Sequence, residues 1–195
     1  DKVALSFSTC GQCGSCTQGH VAYCHQFFPL NFFGARPDGS TSIRCGEQAI
    51  HSHIFGQSSF STHAVCSERN AVLVDDEVPL AILAPFGCAF QTGAGAVLKS
   101  LQVRQGSSVM IFGAGAVGLS AVMAAKIAGA AQIIAVDIKS SRLELAREVG
   151  ATQVVNSQTD DLESRVRGIC PQGVNYIIDT TANLPLIQRG IGLLV

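Results

Sequence analysis

Two kinds of hydrophobic pattern follow one another along this chain, and they change near Pro85. Before it, short apolar runs such as VALSF, HAVCS and NAVLVD are broken every few residues by Gly, Pro, Ser and His. Runs of that length with that punctuation predict short strands and loops, an irregular β region. FGARPDGSTS, residues 33–42, is turn-rich and predicts an exposed loop. After Pro85 the pattern alternates between strand and helix. SVMIF (108–112) reads as a buried strand, 116–128 as an Ala-rich helix, and QIIAVD (132–137) as a second strand. Ser140 is placed to cap a helix that runs to Val149 and stops at Gly150. A third strand is expected at 153–156, a helix at 160–169 and a fourth strand at 174–179. Fully apolar strands separated by helices require crossover connections, hence a parallel sheet covered on both faces.

Composition narrows the class. Apolar residues make up 47% of the 195 and charged residues 14%, enough material for a core. A net charge of −1 without a basic stripe argues against a nucleic-acid partner. No apolar run is long enough to span a bilayer, and no signal peptide is visible. Both ends fall inside apolar segments without caps, so the sequence reads as a piece of a longer protein. Of the 8 cysteines, four cluster and four (Cys45, Cys66, Cys88, Cys170) stand alone. That distribution is unlike a secreted disulfide scaffold, and a reducing, cytoplasmic setting is expected.

The clustered cysteines are Cys10, Cys13, Cys16 and Cys24, spaced C-x2-C-x2-C-x7-C. Four thiolates close a tetrahedral zinc shell and leave no position for substrate, so the metal is expected to be structural. A lobe spanning only 10–24 buries no core of its own, and metal binding would supply its folding energy. An iron–sulfur cluster is the rival, but its usual run continues C-x3-C-P, which is absent here. His20 and His25 flank Cys24 and are read as loop histidines. His51 and His53, two apart, would share a strand face and are read as a polar strand edge.

The second motif is FGAGAVG. Gly113, Gly115 and Gly118 have G-x-G-x-x-G spacing, between a strand and the helix that includes Ala116 and Val117. A second strand then ends at Asp137, nineteen residues past Gly118. This context marks a dinucleotide site. The first glycine makes the tight turn and the second admits the pyrophosphate. The third lets helix and sheet close up, and the helix N-terminus faces the phosphates. Asp137 is expected to accept from the adenosine ribose hydroxyls and to repel a 2′-phosphate, favouring NAD; Lys139 and Arg142 lie nearby.

Together these features resemble the zinc-dependent medium-chain alcohol dehydrogenases, most closely the aryl-alcohol (benzyl alcohol) branch. The resemblance is carried by the four-cysteine lobe, SSFSTHAV (58–65), PFGCAFQTGAGAV (85–97), SSVMIFGAGAVGL (107–119) and IIAVDIKSSRLELAREVGA (133–151). It implies an α/β fold: part of a GroES-like β barrel with the zinc lobe in residues 1–86, then a partial doubly wound Rossmann sheet in 87–195. It implies that Cys88 is a ligand of a catalytic zinc and that Thr92 lies by the nicotinamide. Thr180 and Thr181 would line the cofactor cleft, and the family often has Gly where this chain has Ala182. The cofactors implied are zinc and NAD, the substrates a small alcohol and its aldehyde, aromatic and primary by the branch, with the full-length subunits pairing. The family's other catalytic ligands precede the lobe and are absent here, so no turnover is expected from residues 1–195 alone. The competing class is a non-catalytic NAD-binding or redox-sensing protein whose cysteines report oxidation.

Overall fold

The computed structural model describes residues 1–57 and 61–195. It divides into two compact units, Asp1–Gly87 and Cys88–Val195, one residue beyond the boundary expected from the sequence.

The first unit is built from short pieces: β1 (Val3–Leu5), α1 (Gly14–Thr17), α2 (Phe27–Phe32), β2 (Ile43–Cys45), β3 (Gln48–Ile50), β4 (Ala71–Leu73) and α3 (Leu80–Leu83). β1 pairs antiparallel with β4, and β2 with β3, as separate ribbons. Polar side chains and aromatic contacts tie these pieces together. Phe27 stacks edge-on against Phe7, with ring centroids 5.4 Å apart. The fully buried Asn31 accepts from the Ser8 amide at 2.8 Å and donates to the Ser8 carbonyl at 2.9 Å. It thereby binds Ser8 as a strand partner would, and joins the two sides of the cysteine lobe at its neck. HAVCS forms no strand: residues 64–67 are irregular. His51 and His53 lie past the end of β3, and His53 is left-handed at φ 71°, so the two share no strand face.

The second unit contains α4 (Ala89–Gly95), continued by a wide turn over Ala96–Ser100, then β5 (Ser108–Phe112), α5 (Ala116–Ile127), β6 (Gln132–Asp137), α6 (Ser140–Val149), β7 (Gln153–Asn156), α7 (Leu162–Ile169), β8 (Tyr176–Asp179) and α8 (Leu184–Ile191). The four strands are parallel in the order β7-β6-β5-β8, one half of a doubly wound sheet. The period of two along the strands sorts the core. Val109, Ile111, Ile133 and Ala135 pack with Ala121, Ala124 and Ala125 of α5. Met110, Phe112, Ile134 and Val136 face the other way, onto Leu162 and Val166 of α7. Each fully buried side chain of this size contributes roughly 1.5–3 kcal/mol, so β5 and β6 are the stability centre of the unit.

Small-residue contact brings α4 onto α5. A Cβ at Gly93 would lie 2.8 Å from the Ala121 amide nitrogen, and Ser120 Oγ donates to the Phe90 carbonyl at 2.6 Å. Ends of elements differ from the sequence pattern in physical detail. Ser140 is the first residue of α6 and not its cap; Lys139 holds that position without a side-chain hydrogen bond. The carboxylate of Asp137 already takes the Ile138 and Lys139 amides that lead into the helix. α7 starts two residues later than expected, because Asp161 caps it by accepting from the Ser164 amide. The fourth strand begins at Tyr176, since the Asn175 side chain is turned onto the Ser108 amide at 2.9 Å.

Candidate functional site

The glycine turn joins β5 to α5, and each of its glycines has a different reason to be one. Gly113 sits at φ +89°, where L side chains are strained, and a Cβ there would also run into the Thr180 hydroxyl. Gly118 is buried, and its Cβ would overlap the Gly113 carbonyl. Around the Cβ position of Gly115 nothing lies within 4 Å, so the backbone there borders open space. Ala116 and Val117 form the first turn of α5, whose amides lack intrahelical acceptors by construction.

That open space is a cavity of about 620 Å³, in the range of small-molecule and cofactor sites. Six of the residues expected at the cofactor line it: Gly113, Gly115, Asp137, Arg142, Thr180 and Thr181. The far wall was not anticipated. It comes from Ser157 and Gln158 after β7 and from Asn183, Pro185 and Arg189 at α8. Asn183 caps α8 by accepting from the Leu186 amide at 3.1 Å, and the N-x-P signature at 183–185 is the signal that could have revealed that helix start. Arg189 is held by a hydrogen bond from its Nε to Glu163 Oε1 at 2.6 Å, which fixes α8 to α7. Ala182 adopts φ 53°, the left-handed conformation that glycine would accept without strain.

Asp137 does more than the sequence suggested. Its Oδ2 accepts from the Ala114 amide at 2.7 Å, and its Oδ1 from Ile138 at 2.8 Å and Lys139 at 2.9 Å. Arg142 Nη1 lies 3.8 Å from Oδ2. Burial works to raise the carboxyl's pKa, but the three amides and Arg142 outweigh it and hold it below the ordinary value. The carboxylate therefore pins the glycine turn to the end of β6 while lining the cavity. Asp137→Ala is expected to destabilise the unit by about 2 kcal/mol in urea denaturation, because buried amides lose their acceptor; Asp137→Asn should lose less. The depressed pKa gives the sign of the pH effect. The contribution is present above the ordinary carboxylate range and fades as pH falls through it toward the lower folded value.

Thr180 donates its hydroxyl to the Phe112 carbonyl at 2.8 Å, and Thr181 to Asp179 Oδ1 at 2.6 Å. Cys88 is exposed at the N-terminal boundary of α4. Thr92 spends its hydroxyl proton on the Cys88 carbonyl at 2.8 Å, leaving its oxygen as an acceptor. Part of the segment 58–65 that carries the family resemblance, residues 58–60, lies outside the described residues.

In the first unit the four clustered cysteines converge. All four Sγ atoms lie within 4.8 Å of one another, and all are free thiols. A tetrahedral zinc with bonds of about 2.3 Å places its sulfurs about 3.8 Å apart; Cys10 and Cys16 stand at 4.0 Å. Backbone amides are aimed at the sulfurs: Cys10 onto Cys24 at 3.3 Å, Cys13 onto Cys10, His25 onto Cys13 and Gln26 onto Cys24, each at 3.4 Å. Amides from His25 and Cys16 bring the Cys13 thiol down to about 6, and those of Gln12 and Cys13 lower Cys10. Burial pushes Cys16 up to about 12. A cluster of sulfurs wrapped in N–H donors suits anionic thiolates gathered on one cation, so the donor set fits tetrathiolate zinc. It is the one group of three or more potential metal ligands among the described residues.

The second unit thus carries half of a Rossmann sheet with a glycine-turn cavity, and the first a four-cysteine cluster suited to a metal. Residues 116–194 match the family described as zinc-binding dehydrogenase. Geraniol dehydrogenase of Castellaniella defragrans is 43% identical over 98% of this chain and 52% of its own length. A probable alcohol dehydrogenase of a Pseudomonas species is 40% identical over 98% of the chain and 61% of its own. Among solved structures, benzyl alcohol dehydrogenase of Acinetobacter calcoaceticus superposes with a TM-score of 0.90 at 45% identity, covering 100% of this chain and 52% of that one. A zinc-binding-domain alcohol dehydrogenase of Burkholderia ambifaria gives 0.90 at 52% identity, covering 98% and 52%. The chain is thus similar to zinc-binding and alcohol dehydrogenases over nearly its whole length, and spans about half the length of the curated relatives it matches.

Proposed function

We propose that this chain is the lobe-and-cofactor portion of an NAD-linked, zinc-dependent alcohol dehydrogenase acting on a primary, aromatic or allylic alcohol. The observation that carries the reading is the cavity behind Gly115, lined by the glycine turn and by Asp137. When bound, NAD accepts the hydride and a catalytic zinc supplies Lewis acidity at the alcohol oxygen. The glycine turn and the α5 N-terminus would hold the pyrophosphate through backbone amides. Asp137 would face the ribose with oxygens already ordered by Ala114, Ile138 and Lys139. Arg142 closes the same wall, and Thr180 and Thr181 border it. Cys88 would serve as a thiolate ligand of the reactive zinc, and the Thr92 oxygen would accept from the nicotinamide side. Full-length subunits would pair, and eight free cysteines suit a reducing cytoplasm. The substrate class rests on relatives named for geraniol and benzyl alcohol, both primary alcohols beside an unsaturated carbon.

Calorimetric titration of the 195-residue protein with NAD+ and with NADP+ tests the reading. Micromolar to millimolar binding of NAD+ is expected, weaker for NADP+, with about one zinc per chain and no alcohol oxidation. The full-length protein should oxidise benzyl alcohol or geraniol in preference to ethanol. A folded protein that ignores NAD+, or that contains iron and sulfide, overturns it.

A further inference from the structure

Arg69 stands fifty-nine residues from Cys10 in sequence, in a single helical turn started by Ser67, and its guanidinium donates to the Cys10 carbonyl at 2.6 Å. The guanidinium occupies the space beside Gly11: a Cβ there would overlap Nη1, and Gly11 is left-handed at φ +73°. The peptide group that accepts from Arg69 is the Cys10–Gly11 unit. The amide before it, Cys10 N–H, donates to Cys24 Sγ at 3.3 Å. One cation therefore holds the backbone of Cys10, whose own sulfur and amide both belong to the four-cysteine cluster.

We propose that Arg69 is a positioning residue of the four-cysteine metal site, clamping the Cys10 backbone so that its sulfur and its amide stay on the cluster, and that it thereby slows release of the metal. The physical basis is a charge-assisted hydrogen bond, stronger than a neutral one, that fixes the backbone of a ligand residue. The tetrathiolate shell of a divalent zinc carries a net charge of about −2, so a nearby cation also offsets its charge. Gly11 is required because any side chain would displace the guanidinium.

This inference rests on the zinc reading above, and its test separates the two. Zinc content of the unaltered protein is measured first; a chain without zinc sinks the parent reading. Release is then followed as zinc transfer to a chromophoric chelator in excess. Arg69→Met keeps length and packing but removes the charge and the donor. It should release zinc about tenfold faster, the scale on which outer-shell partners act on metal sites. Arg69→Lys should recover most of the loss. In the cobalt-substituted protein, Arg69→Met should shift the sulfur-to-cobalt charge-transfer band to lower energy, a change that packing alone would not produce. Unchanged release in Arg69→Met, or Lys no better than Met with an unmoved cobalt band, would overturn the proposal. Should Arg69→Met fail to fold, Gly11→Ala, which displaces the same guanidinium, gives the readout.

Discussion

Gly118→Val is expected to collapse the Cys88–Val195 unit, costing about 3 kcal/mol or more against a total stability of about 5–15 kcal/mol. The collision is with backbone: the new Cβ overlaps the Gly113 carbonyl. That carbonyl cannot retreat, because the Gly113 amide donates to the Val136 carbonyl at 2.7 Å and Gly113 itself abuts Thr180. Behind it stand β5 and β6, whose residues Val109 to Phe112 and Ile133 to Val136 are all buried. Gly115→Ala is the informative contrast. Gly115 has φ −80° and open space at its Cβ, so alanine should leave the unfolding midpoint within about 0.5 kcal/mol while NAD binding weakens. Urea denaturation together with NAD titration separates the two glycines. A Gly118→Val protein as stable as the unaltered one would show that the turn is more plastic than its contacts imply.

The same comparison shows what a sequence can and cannot announce. The glycine turn was legible because its three glycines answer three local constraints: a left-handed φ, an open backbone and a close crossing. The four cysteines were legible because ligand spacing is itself a local property. The double duty of Asp137 was not, since its partner Ala114 lies twenty-three residues away and is brought near only by the β5–β6 register. Gly93 was missed for a similar reason: its need to be glycine comes from α5 pressing on α4, a contact that no pattern within α4 encodes. Asn31 and Arg69 look like ordinary surface polar residues in the sequence, yet each grips a backbone group near the cysteine lobe. The far wall of the cavity depends on where β7 ends and α8 begins, and element ends are set by single side chains such as Asp161 and Asn183. His51 and His53 misled in the opposite direction, because the strand that would have aligned them stops at Ile50.

Removing one ligand of the lobe should have the largest local effect in the first unit. Cys24 is the buried member of the four, and its sulfur accepts from the amides of Cys10 and Gln26. Cys24→Ser replaces a soft thiolate by a hydroxyl that stays protonated, so zinc loses one of four bonds and the two amides lose an anionic acceptor. Affinity should fall by more than about a hundredfold, beyond what loss of an outer-shell partner causes. The segment 10–24 buries no other side chain than Cys24, so without metal little else holds it. Hydrogen exchange should then reach the unprotected rate across residues 10–24, while the neck bonds of Asn31 to Ser8 slow exchange at Ser8 for longer. The Cys88–Val195 unit, with its own core, should keep its unfolding transition. Acidification should imitate the substitution, because thiolates must be deprotonated to bind and metal release takes up protons. Stoichiometric zinc in Cys24→Ser after exhaustive dialysis against a chelator would mean that three sulfurs suffice, and the lobe would then have an open coordination position like that of a reactive zinc.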